Sequence, residues 1–315
     1  MGLYPKSLNE YLTLTGIPRG PYSRVFIVDP QHGDDDNTGM TFQAPLKTVA
    51  EALSRCVTNH NDCVVMVGGP TADYPTAAID WNLDYTHLIG LSADLPGMGQ
   101  RCRIVNDADN DLATLFTLSG DGCIIKNVQF FDGKDKAEDG ACVLVSGDRN
   151  LLQNCYVAGM GNATALGPFH RAGSYSLKVT GSENTFQDCT IGLDTIVRDA
   201  ANHELIVNGP RNRFKRCDIR SNSVTAGKFL VKIDASVDLR DIQFEDCLFF
   251  NYSENWATGI TDAFNVSGGN THFVILTGKC LFVGVGLGVA NTVTHVYGAG
   301  AAPNAGMFIG TNPTT

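Results

Sequence analysis

Short runs of alternating apolar and polar residues recur along most of this chain of 315 residues. Five segments share one pattern: LFTLSGDGCIIKNVQF (115–130), VLVSGDRNLLQNCYV (143–157), LKVTGSENTFQDCTI (177–191), LIVNGPRNRFKRCDI (205–219) and VKIDASVDLRDIQFEDCLF (231–249). Each reads apolar-x-apolar, a small polar or glycine turn, an apolar pair, then an inward Val or Cys. The last apolar residue before each turn is Leu118, Val145, Val179, Val207 and Ile233, and a looser sixth copy puts Val266 there. The intervals are 27, 34, 28, 26 and 33 residues. Period-two alternation in short pieces predicts strands, and self-similarity near this length predicts a β-solenoid.

The repeat fixes further positions. Cys155, Cys189, Cys217 and Cys247 occupy one place in successive copies, with Cys280 following 33 residues after Cys247. Equivalent positions in stacked coils lie about 4.8 Å apart, so these thiols are expected to form a reduced, inward ladder of small hydrophobes. Asn150, Asn184 and Asn212 recur after the Gly, with Asn270 roughly matching, and predict a corner ladder, because Asn tolerates left-handed backbone and can hydrogen-bond along a stack.

Four regions follow. Residues 1–24, polar and with three prolines, read as an N-terminal attachment arm. Residues 25–112 hold a strand (VFIVDP), a helix over 45–56 with Leu46, Val49, Ala50 and Leu53 on one face, and early strands at VVMV and LIGLS. Leu91 stands 27 residues before Leu118 and so suggests an early rung. The helix is expected to cap the solenoid's open end. Regular coils run over 113–283, and 284–315 is an apolar, Gly/Ala-rich cap or oligomerisation segment.

Charge narrows the function. The formal net charge of −10 disfavours a nucleic-acid partner. No apolar run reaches the length of a membrane span, and the N-terminus lacks a secretory pattern. These features predict a protein made in a reducing cytoplasm, with no membrane insertion. Cys56, His60 and Cys63 lack a second ligand pair, so neither metal nor cofactor is expected.

The block Val28-Asp29…Gly33-Asp34-Asp35…Gly39-Met40-Thr41…Pro45-Leu46-Lys47-Thr48-Val49…Ala52, followed by the Asn-cornered coils, resembles the right-handed parallel β-helix family that includes pectate lyases and phage tailspikes. Its opening is similar to the start of many bacteriophage β-helix proteins. The resemblance implies an all-β, right-handed parallel β-helix. It also implies a bacteriophage virion component: a capsid decoration, head fibre or short spike, built as a homotrimer and assembled in the host cytoplasm. Residues 1–24 would bind other capsid or tail proteins, and a host surface glycan would be a further partner. The alternative is a tailspike-type polysaccharide depolymerase, a lyase or glycoside hydrolase.

Chemistry is expected on the long loops, which all leave one corner and should stack into a ridge. Candidate carboxylates are Asp132, Asp135, Glu138, Asp139, Asp194, Asp199 and Glu254, and candidate glycan contacts are Tyr252, Trp256, His170 and Arg171. Glycosidases need two carboxylates about 5–9.5 Å apart, and an aromatic ring stacks on a sugar face. Acidic loop residues also serve simply as solvated surface. The resemblance supplies no catalytic set. The Asp-Asp and His-Gly elements of polygalacturonases fall at Asp34-Asp35-Asp36 and His32-Gly33, outside the coils. No Asp cluster accompanies Arg216 or Arg220 as a pectate-lyase calcium site would require.

Overall fold

The computed structural model describes residues 12, 16–92, 102–107, 110–135, 140–163, 171–223, 228–234, 240–252, 260, 262–267, 273–285, 289–290 and 295–297. The regular coils each place one short strand in each of three parallel sheets. One coil shows the order: Ala141–Val145 in sheet III, Leu151–Gln153 in sheet I, Tyr156–Ala158 in sheet II, then a long loop to Tyr175–Val179, back in sheet III. Sheet I has 10 strands, and sheets II and III have 8 each. All the paired strands are parallel, so each coil lies in register on the last.

The register follows from the repeat. Trp81, Leu118, Val145, Val179, Val207, Ile233 and Val266 are successive partners along sheet III. They point inward beside a sheet I column in which Phe186, Phe214 and Phe244 stack at 4.7 and 4.8 Å between ring centroids. The early rung differs from the spacing argument. His87–Leu91 belongs to sheet I and pairs Leu88 with Ile125, whereas Trp81 takes the place before Leu118. An identical interval had disguised a different corner of the coil.

Both tight corners are made by backbone demands. At the corner from sheet III to sheet I, glycines stack so closely that a Cβ on Gly181 would stand 2.0 Å from the Gly147 carbonyl oxygen. Behind them Asn150 N–H donates to Asn184 Oδ1 and Asn184 N–H to Asn212 Oδ1, both at 2.9 Å. Asn184 Nδ2 returns a bond to the Gly147 carbonyl. The corner from sheet I to sheet II turns on one left-handed residue per coil: Asn127, Asn154, Asp188, Arg216 and Asp246 all have φ between 50° and 58°. The thiol that follows points into the coil and meets a carbonyl one rung below. Cys155 Sγ reaches Ile125 O, Cys189 Leu152 O, Cys217 Phe186 O and Cys247 Phe214 O. All ten cysteines are free, and burial pushes Cys155 and Cys217 well above the ordinary thiol pKa.

Asn184→Ala should leave a buried amide and carbonyl unpaired, costing roughly 1–3 kcal/mol for each. Urea unfolding measures this against Arg211→Ala. Arg211 makes only a half-exposed ion pair with Glu183, and its loss should change little.

Two features of the N-terminal part differ from expectation. The helix spans only Val49–Ser54, with Thr48 as its N-cap. It starts late because Leu46 bridges to Val28 in extended geometry and Asp35 Oδ1 accepts from Lys47 N–H and Thr48 N–H. Val49, Ala52 and Leu53 join the core. The described part of 1–24, read as an attachment arm, also rests on the solenoid. Leu12 and Ile17 are buried against Cys63, Val65 and Ile89, the outward side of the first sheet I rungs, because those outward positions are apolar and need a cover.

Candidate functional site

The sequence-nominated residues do not form one exposed row. Asp132 ends the strand Gln129–Asp132 and is fully buried, held by Asn106 Nδ2 at 2.8 Å and by Lys134 N–H. Burial pushes its pKa up to about 6, so it faces the fold rather than a ligand. Asp135 and Arg171 are half-buried, and Asp199 is exposed. Tyr252 is 46% exposed. Glu138, Asp139, His170, Glu254 and Trp256 lie outside the described residues. Among the described residues no group of three His, Cys, Asp or Glu is placed to hold a metal ion.

Asp132 gives a pH test. Its folded carboxyl prefers its proton, so its contribution to stability is present below the unfolded pKa of 3.8 and is lost as pH rises through about 6. Asp132→Asn should therefore gain stability over the parent near pH 8, by about 1–3 kcal/mol. The gain should vanish near pH 4. Thermal melts across that range check it.

Under the loops lies a buried ionic cluster that the sequence did not announce. Glu204, at an outward position of His203–Val207, is fully enclosed. Its oxygens accept from Ser176 Oγ at 2.6 Å, Ser221 Oγ at 2.9 Å, Lys228 Nζ at 3.1 Å and Arg198 Nε at 3.2 Å. Arg198 also donates to the Met160 and Gly159 carbonyls, and Lys228 to Asn202 Oδ1. Burial alone would raise Glu204, but Lys228, Arg198 and the two hydroxyls hold it down to about 2. Burial pulls Lys228 down to about 8. The cluster clamps the bases of three successive loops to the sheet.

Directly outside this clamp, on the outward face of sheet II, sits a second polar group open to solvent. Asp218 and Arg220 point out of the strand Asp218–Ser223, on either side of inward Ile219. Arg220 bridges two carboxylates, bonding Asp194 Oδ2 at 3.2 Å through Nη1 and Asp218 Oδ2 through Nη2. These three side chains are 20%, 21% and 23% exposed. Tyr156 belongs to the same column, since Tyr156 pairs with Thr190 and Thr190 with Asp218. Burial pushes its phenol up to about 12, so it stays a donor. Tyr156 is itself buried, and Tyr156 Oη, Asp218 Oδ1 and Arg220 Nε are enclosed without a hydrogen-bond partner among the described residues. Gly192 brings the covering loop this close: its φ is 95°, and a Cβ there would stand 2.1 Å from the Arg220 carbonyl oxygen. On the next rung Phe250 lies beside Arg220 and Tyr252 beside Asn222.

The arrangement therefore joins two carboxylates, one guanidinium and one phenol, with an exposed aromatic ring on the adjacent rung. A partly exposed charged bridge near a half-exposed ring suits a hydroxyl-rich ligand.

No protein-family profile matches the sequence, and no curated protein is significantly similar to it. Solved structures are similar in fold. A pectate lyase superposes with a TM-score of 0.57 at 16% identity, covering 90% of this chain and 76% of that one. Pectin methylesterase from Erwinia chrysanthemi gives 0.52 at 14%, covering 91% and 92%. A pectin methylesterase bound to a hexasaccharide gives 0.54 at 14%, with the same coverage. The chain is a right-handed parallel β-helix. None of the three is a virion protein, and nothing in the comparisons links this β-helix to a bacteriophage.

Proposed function

We propose that this β-helix acts on a polysaccharide, as a lyase or glycoside hydrolase, along the outward face of sheet II. The carrying observation is the partly exposed Asp194–Arg220–Asp218 bridge, with the exposed Tyr252 ring on the adjacent rung. It offers charged hydrogen-bonding groups near an aromatic platform, on a rigid surface whose rungs repeat about every 4.8 Å. A long, repetitive ligand can follow such a surface from rung to rung. The similar structures named as a pectate lyase and pectin methylesterases favour this reading over a purely architectural virion role.

The test is a panel of acidic and neutral polysaccharides, followed by viscosity, new reducing ends and unsaturated products. Unsaturated ends mark a lyase, and reducing ends without them mark a hydrolase. Arg220→Ala should weaken binding of the responsive polysaccharide at least tenfold, and Tyr252→Ala several-fold. If no polysaccharide is bound or shortened, or if Arg220→Ala behaves as the parent, the proposal fails.

A second reading, a homotrimeric particle component with 1–24 as its attachment segment and Val49–Ser54 as its end cap, draws on Leu281. That residue is 57% exposed on the last described rung of sheet II. Solution mass by light scattering tests it, and a monomer counts against it.

A further inference from the structure

A cavity of about 400 Å³ opens at the N-terminal end of the β-helix, away from the Arg220 face. Its walls come from three places that the fold brings together: Pro30 and Gln31 after the first strand, Lys47 and Thr48 before the helix, and Asp73 and Tyr74 beside the first rung of sheet II. Asp73 is held in place from both sides. Its amide donates to Arg103 O and its carbonyl accepts from Val105 N–H, while its Oδ2 accepts from Val49 N–H at 2.8 Å.

The carboxyl itself is only 3% exposed, and no hydrogen bond engages its Oδ1. Thr48 is already committed, because its hydroxyl donates to Asp35 Oδ2 and accepts from Glu51 N–H. Among the described residues the Gln31 carboxamide, the Lys47 ammonium and the Tyr74 phenol meet no hydrogen-bond or ion-pair partner. Tyr74 presents its ring at 47% exposure.

We propose that this cavity binds one or two units of a neutral saccharide, with Tyr74 stacked on the sugar face and Asp73 Oδ1 accepting from its hydroxyls. The volume falls within the range of about 300–1,000 Å³ usual for small-ligand sites. A single half-exposed ring among several uncommitted polar groups matches a sugar, which has an apolar face edged with hydroxyls. Asp73, with Asp35 behind it, opposes an anionic sugar. Lys47 is exposed on the cavity wall, one positive charge against these two carboxylates. Burial raises the Asp73 pKa to about 6, so near neutral pH it is mainly a carboxylate that accepts.

The site is independent of the Arg220 face, and calorimetric titration separates the two. Maltose, cellobiose, lactose and diacetylchitobiose serve as probes, with a galacturonate dimer as the charged control. At least one neutral disaccharide should bind saturably, and more tightly than the galacturonate dimer. Tyr74→Ala should weaken it at least tenfold, and Asp73→Asn several-fold. Tyr252→Ala should leave it unchanged. Absence of saturable binding overturns the proposal. So does preference for the charged dimer, parental affinity in Tyr74→Ala, or loss in Tyr252→Ala.

Discussion

Phe214→Ala should destabilise the β-helix by about 3–5 kcal/mol, the usual result of removing a fully buried phenyl ring. Phe214 has no solvent exposure and stacks between Phe186 and Phe244 with interplanar angles of 7° and 12°. The parallel register holds the three rings one rung apart, so the cavity left by alanine cannot collapse unless whole coils shift. In a solenoid each coil rests on its neighbours. The damage should therefore appear first as faster amide exchange in 185–187, 213–215 and 243–245. Phe214→Leu should recover most of the loss. Denaturant unfolding of the three proteins checks the order, and equal stability of Phe214→Ala and the parent would refute the stacked core.

Glu204→Ala should cost a similar amount, about 3–5 kcal/mol, because it leaves Arg198 and Lys228 as buried charges without their shared anion. The pH dependence has a definite sign. Glu204 is held at about 2 in the folded chain against an ordinary 4.5. Its contribution is therefore present above pH 4.5 and lost as pH falls toward 2. Lys228 has the same sign in a different window: its folded pKa of about 8 lies below 10.5, so the cost of its charge is relieved as pH rises through that interval. The gap between parent and Glu204→Ala should be widest at neutral pH and should narrow in acid. Melting curves from pH 2 to 8 test this, and a gap constant across that range would contradict the clamp.

The coil register was legible in the sequence because it rests on residues that repeat. Each coil must refill the same lumen, so Val145, Val179 and Val207 recur, and so do the thiols from Cys155 to Cys247. The corner repeats Gly147, Gly181 and Gly209 with Asn150, Asn184 and Asn212 over three coils. The irregular first rungs were harder. The interval from Leu91 to Leu118 equals that from Leu118 to Val145, yet Leu91 lies in another sheet.

The candidate site was least legible because it is assembled across coils. Asp194 comes from one loop, Asp218 and Arg220 from the following strand, and Tyr156 from two rungs before it. A search of the loops could not bring them together. The available signal lay in the strand itself, where Asp218-Ile219-Arg220 places two charges at outward positions around one inward residue. Counting from the Cys ladder then aligns Tyr156 with Asp218. Asp132 misled for the converse reason: the residues that follow it, from Lys134, are polar, but the parallel register turns its carboxyl toward Asn106.

The most direct measurement is hydrogen–deuterium exchange with and without the longest polysaccharide fragment that the protein binds. The account predicts protection concentrated in residues 190–199, 218–222 and 248–252, weakened in Arg220→Ala. Saturated binding that leaves 190–194 and 218–222 unprotected would contradict it.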